Sequence, residues 1–219
     1  MSTLLLRLAG PMQSWGTESK FDIRKTEREP SKSGVVGLLA AALGRKRNEP
    51  VDDLARLRFG VRVDREGILQ KDFHMARGEK ASYVTNRYYL ADAIFLVGVE
   101  SDDADFLNRL HEALNHPAFP LYLGRRSCPA TLPLTLGIRK EGLRVALIGE
   151  PPLANLKKPN GMPARCRLVM DDDGCAHTGR LHDVPMSFDP ENRRYGWRAV
   201  HIETVAVGVP EHDPMMELR

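Results

Sequence analysis

"YLADAIFLVGVESDDADFLNRLHEALNHP" (residues 89–117) joins two stretches of different period, and that junction decides the fold. Its first part is a long apolar run rich in branched and aromatic side chains, the pattern of a strand. Its second part opens on acids and then sets Phe106, Leu107, Leu110 and Leu114 at helical spacing. Acids in a first turn complement the positive end of the helix dipole, and Pro117 stops the run. A strand therefore passes directly into an amphipathic helix.

The same unit recurs upstream. "STLLLRLAG" (2–10) is a leucine-rich strand closed by Gly10 and Pro11. "PSKSGVVGLLAAALGRK" (30–46) is a helix that Ser31 or Ser33 can cap and Gly44 ends, apolar along Val35, Leu38, Leu39 and Leu43. "LRFGVRVDR" (57–65) alternates Phe59, Val61 and Val63 with polar or small residues, as a half-buried strand does. Downstream, "LPLTLGIRK" (132–140) is another strand. Strand–helix–strand–strand–helix–strand is the order of a ferredoxin-like fold, the framework of RNA-recognition domains. The expected class is α+β, with residues 1–150 as the ferredoxin-like domain. An insertion at about 66–88 is far longer than a hairpin loop. Past the Pro/Gly-rich linker "GEPPLANLKKPNGMPARC" (149–166), "RCRLVMD" and "WRAVHIETVAVGV" read as strands, joined by the turn-like "DDDG" and "DPEN". Residues 151–219 are thus expected to form a smaller β-rich region packed on the first.

Composition agrees with a folded chain: 42% hydrophobic and 28% charged over 219 residues. No apolar run reaches the roughly 18 residues of a membrane span. The start, "MSTLLLRLAG", is too short and too arginine-marked for a secretory signal, and Cys128, Cys166 and Cys175 are too sparse for a disulfide framework. Both point to the cytoplasm and away from membranes. The net charge of +3 is unevenly spread. Residues 121–170 carry nine Lys/Arg against Glu141 and Glu150, whereas residues 92–115 carry six acids against Arg109. Such a division either places a polyanion on one side and protein neighbours elsewhere, or merely solvates loops.

Several segments could carry chemistry. In "YLGRRSCP" (122–129), Gly124 permits positive φ and lets backbone amides approach a phosphate. Arg125 and Arg126 add guanidinium forks and Ser127 a hydroxyl donor, so the loop reads as an anion contact or a solvated turn. In "EPSKSGVVG" (29–37), Lys32, Ser33 and the free amides of the first helical turn form either an anion site or an ordinary cap. In "GPMQSWG" (10–16), Gln13 and Trp15 leave the first strand where the indole could stack on a base or cover a core edge.

The insertion "DFHMARGEKASYVTNRYY" (72–89) mixes His74, Arg77, Lys80 and Arg87 with Tyr83, Tyr88 and Tyr89, which suits single-stranded nucleic acid. His74, Lys80 and Tyr83 also supply the residue types of a metal-independent endoribonuclease: a base, an acid and a cation for the phosphorane-like charge. Cys166, Cys175, His177 and His182 are zinc-type atoms without C-x-x-C spacing, and "MDDDG" lacks the glutamate of a calcium loop. No motif calls for a cofactor or a metal.

Together, "LRLAGPMQSWG", "PSKSGVVGLLAAALG" and "YLGRRSCP", with "DFHM", "RYYLADAIFLVGV" and "LPLTLG" extending the match in the family's order, resemble the fifth family of CRISPR-associated proteins, subtype I-E. The resemblance spans residues 3–138 and, loosely, the tail. It implies a ferredoxin-like RAMP domain with a projecting β-hairpin thumb, in a non-catalytic subunit of the Cascade surveillance complex. Such a subunit binds the 5′ handle of crRNA, contacts the Cascade backbone subunit and the large PAM-reading subunit, and meets target DNA only indirectly. By matching motif, Gly124, Arg125, Arg126 and Ser127 would hold the handle, with Gln13, Trp15, Lys32 and Ser33 close by. Arg87 and the insertion around it would form the thumb.

Overall fold

The structure, a computed structural model, describes residues 1–17, 19–20, 23–77, 82–154, 164–172, 174 and 179–207. After β1 (Ser2–Ala9) come three short strands, β2 (Met12–Gln13), β3 (Ser19–Lys20) and β4 (Ile23–Arg24). Helices α1 (Lys32–Ala42) and α2 (Asp52–Ala55) follow, then β5 (Arg58–Arg65), β6 (Ile68–Arg77), β7 (Ser82–Ala91) and β8 (Ile94–Ser101). Next are α3 (Ala104–Asn115), β9 (Thr135–Arg139) and α4 (Leu143–Gly149). The tail supplies β10 (Ala164–Asp171), β11 (Gly179–Ser187) and β12 (Arg194–Val207).

Seven strands form one antiparallel sheet in the order β11-β12-β10-β5-β8-β1-β9. Its middle strands are buried on both faces, which is why they read as unbroken apolar runs. Successive side chains point to opposite faces. Leu4, Leu6 and Leu8 of β1 and Phe95, Val97 and Val99 of β8 enter a core shared with α1 and α3. Leu5 and Leu96 enter a second core with Leu143, Ala146 and Leu147 of α4. The caps match the sequence: Ser31 Oγ accepts from Gly34 N at 3.2 Å, and Asp103 Oδ1 from Phe106 N at 2.8 Å.

Helix α4 was not expected. Its seat is a cross-strand pair of glycines, Gly60 on β5 and Gly98 on β8. A Cβ at Gly60 would lie 2.8 Å from Leu147, and one at Gly98 would lie 2.7 Å from Leu143. Only glycines let the helix come this close.

The tail does not pack on the first region as a separate layer. β10 pairs with β5, so the three tail strands extend the same sheet and satisfy the ladder groups of its edge. Buried charges then lock the extension to α1. Asp183 of β11 accepts from Lys32 N at 2.8 Å and from Arg198 Nε at 2.7 Å. Asp171 accepts from Lys32 Nζ at 2.9 Å, from Arg198 Nη1 at 2.7 Å and from Phe59 N at 3.0 Å. Burial acts to lower the Arg198 pKa, but hydrogen bonds and charge from Asp183 and Asp171 outweigh it, so the pKa stands above its ordinary value.

The insertion is a hairpin. β6 and β7 pair over ten positions, from Ile68↔Ala91 to Arg77↔Ser82. Along its other side β7 pairs with β2 and, in parallel, with β4, making a second sheet of five strands. No described helix is long and apolar enough to cross a membrane.

Candidate nucleic-acid interface

Gly124 fixes the centre of the site. Its φ of +86° lies in the left-handed region, and a Cβ there would lie 1.8 Å from the Ser14 carbonyl oxygen. The loop after α3 is therefore pressed onto the segment leaving β1. Ser14 N donates to Leu123 O at 3.1 Å, and Ser14 Oγ donates to Tyr88 O at 3.0 Å, tying loop and hairpin base to one residue. The amides of Leu123, Gly124 and Cys128 are spent on Cys128 O, Tyr122 O and Arg125 O. Those three amides, that of Gly124 included, serve the loop's own fold. Burial pushes the Cys128 thiol up from its ordinary pKa, which keeps it a neutral filler under the loop.

The two arginines diverge. Arg125 is half-buried and turns back, donating from Nη2 to Arg24 O at 2.9 Å and to Lys25 O at 3.3 Å. Arg126 and Ser127 are exposed. Between this loop, the start of α1 and the segment around β4 runs a groove of about 900 Å³. Seven basic side chains line it and, among the described residues, no acidic one: Arg24, Arg45, Lys46, Arg47, Arg125, Arg126 and Arg193. Arg45 is bound by Asp53 through both its Nη atoms. That hydrogen-bonded pair raises the Arg45 pKa and holds the Asp53 carboxyl below its usual range. Phe119, Tyr122, Phe188 and Tyr195 interleave aromatic surface with these cations.

Other sequence candidates are placed differently. Gln13 is 0% exposed, donates to Leu8 O and Ala93 O at 3.1 and 2.8 Å, and accepts from Trp15 Nε1 at 3.0 Å. Trp15, 1% exposed, packs under Gly34, whose Cβ position is 2.7 Å from the indole. It is the floor of the groove rather than a free stacking surface. Lys32 is buried in its pair with Asp171, and Asp183 occupies the helix's first amide. The anion site expected at α1 is thus filled by the protein's own carboxylates. Ser33, also buried, lies at the groove with its Oγ 3.4 Å from Ser31 Oγ.

On the hairpin, His74 pairs with Asp72 at 2.8 Å, and Tyr83 is exposed on the same face by register. Neither lines the groove. Arg77 is exposed, Arg87 is half-buried near the hairpin base, and Lys80 lies outside the described residues. Cys175 and His177 also lie outside them, and no described cluster of three or more His, Cys, Asp or Glu could hold a metal ion.

Much of the basic run in residues 121–170 is neutralised. Arg139 pairs with Glu150, Arg144 with Glu203, and Arg167 with Glu29. Beyond Arg125 and Arg126, the groove draws its charge from outside this run: from Arg24, from "GRKR" (44–47) after α1 and from Arg193 of the β11–β12 loop. The "GRKR" run was a visible signal; the other two look like ordinary surface arginines.

Against known proteins, residues 3–201 match the family described as CRISPR-associated protein (Cas_Cas5). The chain belongs to this family. The CRISPR system Cascade subunit CasD of Escherichia coli (strain K12) is 38% identical to this family member over 159 residues, 62% of this chain and 70% of the relative. A chain of a solved CRISPR RNA-guided surveillance complex superposes with a TM-score of 0.81 at 35% identity, covering 99% of this chain and 97% of that one. A solved Cas protein superposes with a TM-score of 0.73 at 43% identity, covering 94% and 97%.

Proposed function

We propose that this chain is a non-catalytic Cascade subunit that grips the 5′ handle of crRNA in the basic groove. The carrying observation is the run of cations facing aromatic side chains with no carboxylate among the described lining residues. Phosphates draw affinity from clustered Lys/Arg, while splayed bases find aromatic faces. Specificity belongs to the contacts with those bases, positioning to the phosphates.

The strand order β5-β8-β1-β9, with α1 and α3 on one face, supports a ferredoxin-like RAMP domain over residues 1–150. The remainder, read as a β-rich region over 151–219, walls the groove through its described residues Phe188, Arg193 and Tyr195. Hairpin β6–β7 serves as the thumb. Its Leu69, Phe73, Met75 and Val84 share one exposed face, which suits contact with the Cascade backbone subunit. The large PAM-reading subunit and, indirectly, target DNA complete the partners of this cytoplasmic role.

The test is a salt titration of labelled handle RNA against Arg126→Ala/Lys46→Ala. Weaker binding with a salt slope reduced by about 2 supports the reading. Unchanged affinity and slope overturn it.

A further inference from the structure

We propose that the aromatic cluster on β11 and β12 is a stacking platform for a base of the RNA strand as it leaves the groove. This rests on the groove being an RNA site.

Trp197 is 63% exposed, unusual for so large an apolar ring. The ring is nevertheless held in place. It stacks on His182 with centroids 4.7 Å apart and planes 25° from parallel. His182 Nε2 lies 3.0 Å from the Tyr195 carbonyl oxygen, and the Tyr195 ring meets the imidazole edge-on at 6.4 Å. Three rings thus brace one another, and an indole with one face on His182 offers the other to a base. Little side-chain entropy remains to be lost on binding.

Position and charge select the occupant. Tyr195 belongs both to this cluster and to the lining of the groove and so links the two. Trp197, next to the α1-facing Arg198, lies around the end of β12 on the other sheet face, where a strand leaving the groove past Tyr195 would meet it. Arg193 lines that end, and Arg194 is exposed at the start of β12. Exposed Arg180 pairs with Ala199 and so shares the sheet face of Trp197. Exposed aromatic surface among arginines suits a single-stranded nucleic acid, since every base has a π-face and every phosphate needs a cation.

The test uses fluorescein-labelled oligouridylates of about 5 and about 12 nucleotides, the first confined to the groove and the second long enough to reach the platform. With the wild-type chain, the longer strand should bind more tightly and quench indole emission beyond the shorter strand, whose effect reports on Trp15 beneath the groove. Trp197→Ala should cost at least about fivefold on the longer strand and nothing on the shorter, and Trp197→Phe should restore most of that loss. Arg126→Ala should weaken both strands. If Trp197→Ala keeps the length advantage while Arg126→Ala weakens both, the platform is refuted and the groove stands. If Arg126→Ala leaves both strands unaffected, the groove reading fails and the platform falls with it.

Discussion

The Arg125 guanidinium lies 4.8 Å from the centroid of the Tyr89 ring. From that position it also bonds the backbone of Arg24 and Lys25, so one side chain joins the glycine loop, the hairpin base and the segment around β4. Its neighbour Arg126 faces solvent. Two adjacent, chemically identical residues therefore take different work, one holding the walls of the groove together and one presenting charge to it.

Separate substitutions should divide these roles. Arg125→Ala is expected to lower stability by about 1–2 kcal/mol, from the lost cation–π contact and hydrogen bonds, and to speed amide exchange around β4. Arg126→Ala should leave the melting temperature unchanged while reducing the salt slope of RNA binding by about 1. Calorimetry and filter binding on the two variants check the division; equal melting temperatures would contradict it.

Gly124→Ala should be among the most damaging single-methyl additions in the chain. The position combines φ of +86° with a Cβ placed 1.8 Å from Ser14 O, so backbone must move. A loss above about 3 kcal/mol is expected. Gly149→Ala, with nothing within 4 Å of its Cβ position, is the neutral control. Urea denaturation of both gives the comparison.

Asp183→Asn removes a buried carboxylate that serves Arg198 and Lys32 N together. Leaving Arg198 under-compensated should cost about 3–5 kcal/mol. Because this network docks β11 and β12 against α1, the tail should loosen first. Faster amide exchange in residues 179–207 than in β1 and β8 is the expected signature.

Alkaline pH should destabilise the fold through Cys166. Burial, with the Asp64 charge adding and Arg62 opposing, pushes this thiol up to about 11. An unfolded thiol loses its proton near pH 9, so between about 9 and 11 the folded state binds more protons and stability falls as pH rises. The Cys166 part of the slope should approach about 1.4 kcal/mol per pH unit, flatten above 11 and be lost in Cys166→Ala, which keeps only the contribution of the buried Cys128 thiol. A denaturant series from pH 8 to about 11.5 measures it.

The exposed hairpin face calls for a partner rather than for folding. Leu69→Ser/Phe73→Ser should change the unfolding free energy by no more than about 0.5 kcal/mol, while weakening co-purification with the Cascade backbone subunit. A large stability loss would mean that this face packs against its own chain.

Much of the first half was legible from local pattern. Leu4 to Leu8, Phe95 to Val99 and the Phe106–Leu114 stripe carry periods that only one secondary structure can bury. The hairpin and α4 were less so. Residues 68–77 are largely solvent-exposed and carry no burial pattern, and α4 depends on Gly60 and Gly98, distant in sequence, meeting across two strands. Strand β11, with polar and half-buried residues and bulges in its register, leaves no clean alternation.

For the site, the residue types at Gly124, Arg125 and Arg126 pointed to a loop that lines the groove. Nothing local told which arginine turns inward, since the acceptors for Arg125 lie about 100 residues away. Lys32 looked available until Asp171, 139 residues on, was seen to hold it.

By itself the sequence determined where β1, α1, β5, β8 and α3 run, because their periods and caps depend on neighbours within a few residues. The tertiary structure alone decided which charges are free. A cation is available to RNA only if no carboxylate reaches it first, and those carboxylates arrive through long-range strand pairing. That pairing took Lys32, Arg144 and Arg167 out of reach and gathered Arg24, Lys46, Arg47, Arg126 and Arg193 around one groove.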